Sequence, residues 1–218
     1  MQSPVENRLG RSVSLILKRV LDISLAVPIL IVCSPVLAVA AVLIRVRMGA
    51  PVLFRQLRPG VHGKPFVLNK FRTMLDTRDE SGELLPDKAR LTGLGKFLRR
   101  TSIDELPQLW NVLRGELSLV GPRPLLMGYM DLYTPHQMRR HELKPGITGW
   151  AQVNGRNAVT WEERFSLDVW YVENRSLMLD MKILLMTLAT VLRREGISQE
   201  GHVTMENFKG SREDSDGG

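Results

Sequence analysis

The sequence predicts an α+β protein, mostly helical, tied to a membrane by its N-terminal segment. Three observations carry this. A run of 22 uncharged residues from Ile23 to Ile44 is apolar enough for a hydrocarbon core. Two short β-prone stretches within 51–74 flank Pro59-Gly60 and Gly63, the pattern of one small β-hairpin. From Leu94 onward apolar residues recur mostly at helical spacing, interrupted by proline and glycine.

Residues 1–10 read as a loose leader. In 11–22, Val13, Leu17, Val20 and Leu21 share one helical face, with Arg11, Lys18 and Arg19 off it, the pattern of a basic interfacial helix. The apolar run that follows would measure about 33 Å as one helix, but Pro35 divides it into pieces of about 18 and 14 Å, each too short to span. Ser34 offers a hydroxyl to the carbonyl that proline leaves free. Arg8, Arg11, Lys18 and Arg19 precede the run, and Arg45, Arg47, Arg55, Arg58 and Lys64 follow it. The positive-inside rule holds basic flanks on the cytoplasmic side, so a single crossing would have to export one of them. On these residues alone a re-entrant hairpin and a kinked span stand level. A cleaved signal peptide fits less well, since the run is long and Arg45 and Arg47 would follow the Ala38-Val39-Ala40 cut.

After the hairpin, residues 75–92 are charged and loop-like, punctuated by Gly82 and Pro86. A helix is expected from Leu94 toward Arg100. Another should follow Asp104, with Leu106, Leu109, Trp110 and Leu113 on one face and Gly115 at its end. Residues 118–126 (SLVGPRPLL) read as a proline-rich turn, and Tyr129 to Leu143 as a helix. Three glycines make 144–157 an irregular loop. Thr160-x-x-Glu163 is a capping box that opens a helix to about Asn174. Residues 177–194 form an apolar helix whose early Asp180 and Lys182 suit a core or interfacial position. From Lys209 the chain is polar and expected to be disordered. This divides the chain into a membrane segment (1–48), a membrane-associated catalytic domain (49–208) and a tail (209–218).

Thirty Lys and Arg against 23 Asp and Glu give a net charge of +7, which suits a phosphate ligand, an acidic phospholipid surface or nucleic acid. No nucleic-acid-binding motif accompanies that charge, so nucleic acid is not expected as a partner. A single Cys33 excludes an intrachain disulfide and fits a reducing compartment. The four histidines show no zinc spacing.

The densest chemistry is in LRRTSIDELPQLW (98–110). Asp104 and Glu105 are adjacent carboxylates with Arg99 and Arg100 one turn upstream. Such a pair can bind a hard divalent cation, or attack phosphorus while arginines hold its oxygens. The structural alternative is strong: Asp104 suits a helix N-cap, and Ser102-x-x-Glu105 a capping box. Arg123, between two prolines in GPRP (121–124), could present its guanidinium to a phosphate or simply belong to a turn. Lys70 and Arg72 flank Phe71 at alternating spacing, either as a phosphate pair or as a solvated strand face. Trp150, Asn154 and Arg156 give the 144–157 loop the means to hold a nucleotide, or the loop simply covers a core.

Read together, the basic helix before an apolar run with Ser34-Pro35, KFRTM (70–74), the long block from Arg99 to Leu126, and KPGITGWAQVNGRN (144–157) resemble the bacterial sugar transferase family, the small monotopic phosphoglycosyl transferases. The resemblance spans about residues 11 to 210. It implies transfer of a sugar 1-phosphate from a UDP-sugar to polyprenyl (undecaprenyl) phosphate, releasing UMP. Asp104 would be the nucleophile, forming a phosphosugar-aspartyl intermediate. Glu105 would assist with metal and proton handling. Mg2+ would sit on Asp104, and Arg99, Arg123 and Lys70 would bind phosphate. The resemblance also implies a re-entrant helix broken at Ser34-Pro35 and a catalytic domain on the cytoplasmic face of the bacterial inner membrane. With no further N-terminal spanning helices, the chain looks like a minimal catalytic unit. EGHVTMENFKG (200–210) and the NGRN loop look most like the bacillosamine phosphotransferases of protein glycosylation, which implies an N-acetylated donor such as UDP-N,N'-diacetylbacillosamine. The competing expectations are a nonenzymatic membrane-surface scaffold and a glycosyltransferase that releases UDP. The oligomeric state does not follow from the sequence.

Overall fold

In the computed structural model the described residues are 4–155, 159–193 and 208–210. They form a mostly helical α+β body with one long N-terminal helix. That helix, α1 (Pro4–Met48), is a single 45-residue element with Pro28 and Pro35 inside it. Residues 1–10 are therefore no loose leader from Pro4 on, and the basic segment 11–22 is continuous with the apolar one. The expected break at Ser34-Pro35 is not a gap in helical structure. Ser34 Oγ donates to the Ile31 carbonyl at 2.8 Å, the carbonyl that Pro35 cannot serve, so the helix passes the proline without an orphaned acceptor.

The hairpin pairs β1 (Leu53–Pro59) with β2 (Pro65–Phe71), antiparallel from Leu53↔Phe71 to Pro59↔Pro65, joined by a 3-10 turn at Val61–Gly63. Beyond the short α2 (Asp87–Arg90) come α3 (Gly93–Arg100) and α4 (Gln108–Arg114). Gly115 ends α4 in the left-handed region at φ 79, the conformation that glycine adopts without penalty. Leu109 is buried in α4 as its spacing requires, but Trp110 is turned outward and stacks with Arg114.

Three expectations change in the middle of the chain. The proline-rich turn begins with a strand, β3 (Ser118–Val120), which pairs in parallel with β4 (Gly146–Thr148) from the supposedly irregular loop. That loop then continues as α6 (Trp150–Gly155). Strands of three residues carry too little alternation to be read from sequence. The helix expected from Tyr129 to Leu143 is instead two 3-10 segments (Met127–Leu132 and Arg139–Glu142) around α5 (Pro135–Met138), because Thr134 and Pro135 start a new capped turn midway. The last helices are α7 (Trp161–Asn174), opened by the Thr160–Glu163 capping box, and α8 (Leu177–Arg193).

Helix α1 meets the rest of the protein twice. Ala26, with Leu25 and Leu30 beside it, joins the main core of Leu109, Val112, Leu119, Tyr171 and Ile183. Ala40, Ile44 and Met48 form a second core with Phe71 and Leu98. Two basic residues of its first half, Lys18 and Arg19, are engaged by the protein itself. Lys18 is buried and donates to Asp180 at 2.7 Å and to the Tyr171 hydroxyl. Arg19 donates to the carbonyls of Val112 and Leu113, closing the end of α4. From Val13 to Val46 α1 leaves many apolar side chains open, Val32 and Val46 each 76% exposed, with the exposed Arg45 and Arg47 at its end. On α8, Met178, Met181, Leu185 and Leu188 make a second exposed apolar stripe at helical spacing. The expected tail beyond Gly210 and the Arg156–Asn157 part of the NGRN loop lie outside the described residues.

Candidate active site

The end of β2 distributes four consecutive side chains to four places. Lys70 reaches the acidic pair, and Phe71 enters the second core. Arg72 turns away from Lys70, so the two are not a phosphate pair. Its guanidinium is buried against the carbonyls of Met48, Gly49 and Ala50, closing the C-terminus of α1. Thr73 Oγ1 accepts from Arg99 Nε at 3.0 Å and so aims the first arginine of the 99–126 block. Gly95 lies against the Thr73 carbonyl, where a Cβ would come within 1.9 Å of its oxygen. Only glycine lets α3 approach so closely.

Asp104 does not cap a helix. It sits in a 3-10 turn, Ile103–Glu105, entered through Ser102 in the left-handed region (φ 55), and neither Ser102 nor Asp104 makes a capping bond. A non-glycine residue held at positive φ costs about 1–3 kcal/mol, an expense usually met near functional groups. Glu105 is the electrostatic hub: its Oε1 accepts from Lys70 Nζ at 2.7 Å and from Arg123 Nη2 at 2.6 Å. Burial alone would raise the Glu105 pKa, but Arg123 and Lys70 outweigh it and hold the carboxyl well below its usual range. Asp104 is 9% exposed, and among the described residues no hydrogen bond or ion pair reaches its carboxylate. Burial first and the charge of Glu105 second push its pKa up to about 6, against the pull of Lys70, Arg99 and Arg123. Of the five residues singled out from sequence, Lys70, Arg99, Glu105 and Arg123 are thus all within electrostatic reach of the fifth, Asp104.

The framework of the site includes residues that no sequence pattern marks. Asn111, fully buried on α4, donates to the Val67 carbonyl at 2.7 Å and accepts from the Asn69 backbone N–H at 3.1 Å, locking α4 to β2. Arg140 donates to Asp168 at 2.6 Å, both side chains almost fully buried, and to the Arg123 carbonyl at 2.8 Å. The parallel pair fixes the same turn, since Gly146 N–H donates to the Pro122 carbonyl. Nothing in the local pattern marks Arg140 or Asn111, because their partners are distant in sequence.

Among the described residues no group of three or more His, Cys, Asp and Glu forms a metal cage. The unpaired Asp104 carboxylate nevertheless fits Mg2+, which commonly binds through one or two carboxylates and completes its shell with water and substrate phosphate.

The family model described as bacterial sugar transferase matches residues 13–194. An uncharacterised sugar transferase of Bacillus subtilis (strain 168), EpsL, is 59% identical over 197 residues, covering 90% of this chain and 98% of that protein. The UDP-glucose:undecaprenyl-phosphate glucose-1-phosphate transferase of Klebsiella pneumoniae is 41% identical over 81% of this chain. The undecaprenyl-phosphate galactose phosphotransferase of Salmonella typhimurium is 39% identical over 88% of it. The chain spans 40% and 44% of the lengths of these last two proteins.

Proposed function

Because this chain belongs to the bacterial sugar transferase family, we propose that it moves a sugar 1-phosphate from a UDP-sugar to polyprenyl phosphate, with undecaprenyl phosphate as the acceptor, and releases UMP. The observation that carries this reading is the Asp104 carboxylate, buried and unpaired within the field of Lys70, Arg99 and Arg123. A carboxylate with no hydrogen bonds to break is a competent nucleophile. An Asp104 oxygen attacks the sugar-bearing phosphorus, and the phosphoanhydride bond breaks with its electron pair leaving on UMP. The lipid phosphate then attacks the same phosphorus and frees Asp104. Charge grows on phosphate oxygens in both steps, which Arg99 and Arg123 are suited to offset. Glu105, held ionised by Lys70 and Arg123, is better suited to keeping those cations in position than to handling a proton. Mg2+ bound through Asp104 would add neutralising charge at the phosphate.

The membrane arrangement belongs to the same proposal: α1 enters the cytoplasmic face of the bacterial inner membrane and returns to it. Docking at both ends of α1 supports this, since Lys18 reaches Asp180 while Ala40, Ile44 and Met48 pack with Phe71 and Leu98 of the same body. A crossing would put about 30 Å of hydrocarbon between the two contacts. The exposed stripe on α8 suits a helix lying in the interface with anionic phospholipid. For the donor we favour an N-acetylated sugar, UDP-N,N'-diacetylbacillosamine among them, on the likeness of residues 200–210. The glucose and galactose named for two relatives are the alternatives to set against it.

The test is mass spectrometry of the protein incubated without lipid with UDP-glucose, UDP-galactose and UDP-N,N'-diacetylbacillosamine. A phosphosugar adduct on Asp104, with UMP released, supports the reading. An adduct that persists in Asp104→Ala, or UDP as the released nucleotide, sinks it.

A further inference from the structure

Arg123 has its guanidinium on Glu105, and beyond it stand two more arginines that the reaction as described does not use. Arg58, at the end of β1, donates through Nη2 to Gln56 at 2.6 Å, while its Nε is buried without a partner. Arg164 lies on α7 one turn before Asp168, with its guanidinium 5.3 Å from the Trp161 ring centroid. Asp168 is taken by Arg140, which also holds the Arg123 carbonyl, so this one linkage brings Arg164 to the side of Arg123. Among the described residues neither Arg58 nor Arg164 has a carboxylate partner. Burial first, and the charge of Arg123 second, depress the basicity of both. Protonated guanidiniums that crowd one another at a half-buried site call for an anion between them.

The position of this cluster selects which anion. The Leu53–Phe71 end of the hairpin packs against Ala40, Ile44 and Met48 of α1. Lys70 is one residue from that end, and Arg99 follows Leu98, a member of the same packed group. Arg58 lies five residues further along β1, about 17 Å at the usual strand rise. Lys70 and Arg99 are therefore beside the apolar helix, while Arg58 is toward the other end of the hairpin and, like Arg164, feels the charge of Arg123. A phosphate carried on a lipid chain would reach the cations beside the helix first, which leaves Arg58 and Arg164 for a phosphate carried on a nucleoside.

Resting on the transfer reaction above, we propose that Arg58, Arg164 and Arg123 form a nucleotide-phosphate subsite, which binds the uridine-bearing phosphate of the donor and retains it on UMP as that group leaves. The test is the affinity of the full-length protein in detergent micelles for UMP, by calorimetry, and for farnesyl phosphate, in parallel. Arg58→Gln and Arg164→Gln are each expected to weaken UMP about tenfold and to leave farnesyl phosphate within about twofold of wild type. Arg58→Lys and Arg164→Lys, which keep the charge and lose the fork, are expected to lose about threefold, and serve if a glutamine variant melts early. Unchanged UMP affinity in both positions overturns the subsite, as does a loss confined to farnesyl phosphate. Wild-type protein that binds no UMP refutes the transfer reaction itself, and the subsite with it.

Discussion

Asp104 and Glu105 are chain neighbours with opposite electrostatics: Glu105 shares one oxygen between Lys70 and Arg123, while Asp104 has neither ion pair nor hydrogen bond among the described residues. One carboxyl is held far below its usual range and the other is pushed up to about 6. Two identical functional groups are separated by environment alone, which divides their tasks.

The first prediction follows from the raised value. The nucleophile is the deprotonated form, so the rate of adduct formation at Asp104 should climb as pH rises through about 6 and level off above 7. Stopped-flow UMP release between pH 5 and 8 measures this; a flat profile contradicts it.

The same group makes a stability prediction with a defined sign. A carboxyl whose folded pKa is raised from 3.8 to about 6 penalises the folded state once it ionises. Asp104→Asn should therefore unfold at higher temperature than wild type above pH 6, by a margin on the order of 2 kcal/mol, while abolishing turnover. Well below pH 3.8 the margin should vanish, because Asp104 is then neutral in both states. Thermal melts near pH 3 and at pH 7.5 make the comparison.

Glu105→Gln removes the shared anchor of Lys70 and Arg123. Turnover should fall about 100-fold and stability by about 3 kcal/mol, since two cations are left without a counter-charge. The depressed Glu105 pKa means that its contribution is present above the unfolded value of 4.5 and is lost progressively as pH falls below it into strong acid. The stability cost should therefore be constant from pH 5 to pH 8, which denaturant titration can verify.

Lys18→Met leaves Asp180 buried without its cation and should cost about 3 kcal/mol. The double variant Lys18→Met, Asp180→Leu should recover most of that loss, because no uncompensated charge remains. Additive losses in the melts of the single and double variants would show that the pair is not coupled.

Gly95→Ala places a methyl group against the Thr73 carbonyl oxygen. The α3 helix must move away, taking Arg99 from Thr73 Oγ1. We expect a loss of about 2–3 kcal/mol, and weaker lipid-phosphate affinity in whatever fraction still folds. Wild-type melting and affinity would show that the contact relaxes without consequence.

How much could be read in advance depended on the range of the interaction. The hairpin, the Thr160 capping box and the Gly115 helix end were legible because each is written within a few residues of itself. Lys70, Arg99 and Arg123 stand out as possible phosphate binders by their neighbours in sequence and again by the family resemblance, and the fold brings all three within reach of Asp104. The capping role weighed for Asp104 was a local inference that failed, since Pro107 rather than Asp104 precedes α4. The parallel pairing of Ser118–Val120 with Gly146–Thr148 left no signal, because three-residue strands have no measurable period. Arg72 is neither a phosphate ligand nor part of a solvated face, because alternation holds only within a strand and β2 ends at Phe71. Arg140 was missed for the opposite reason: its value lies in contacts to Asp168 and Arg123, 28 and 17 residues away.

The junction at the end of β2 has a mechanical consequence. Arg72 grips the final carbonyls of α1, and Lys70, two residues earlier on the same chain, grips Glu105. Two residues of extended chain span at most about 7 Å. The junction works as a short tether, limiting how far the Glu105 carboxylate can stand from whatever surface the apolar helix occupies. A bilayer that drew the helix deeper would draw the acidic pair with it.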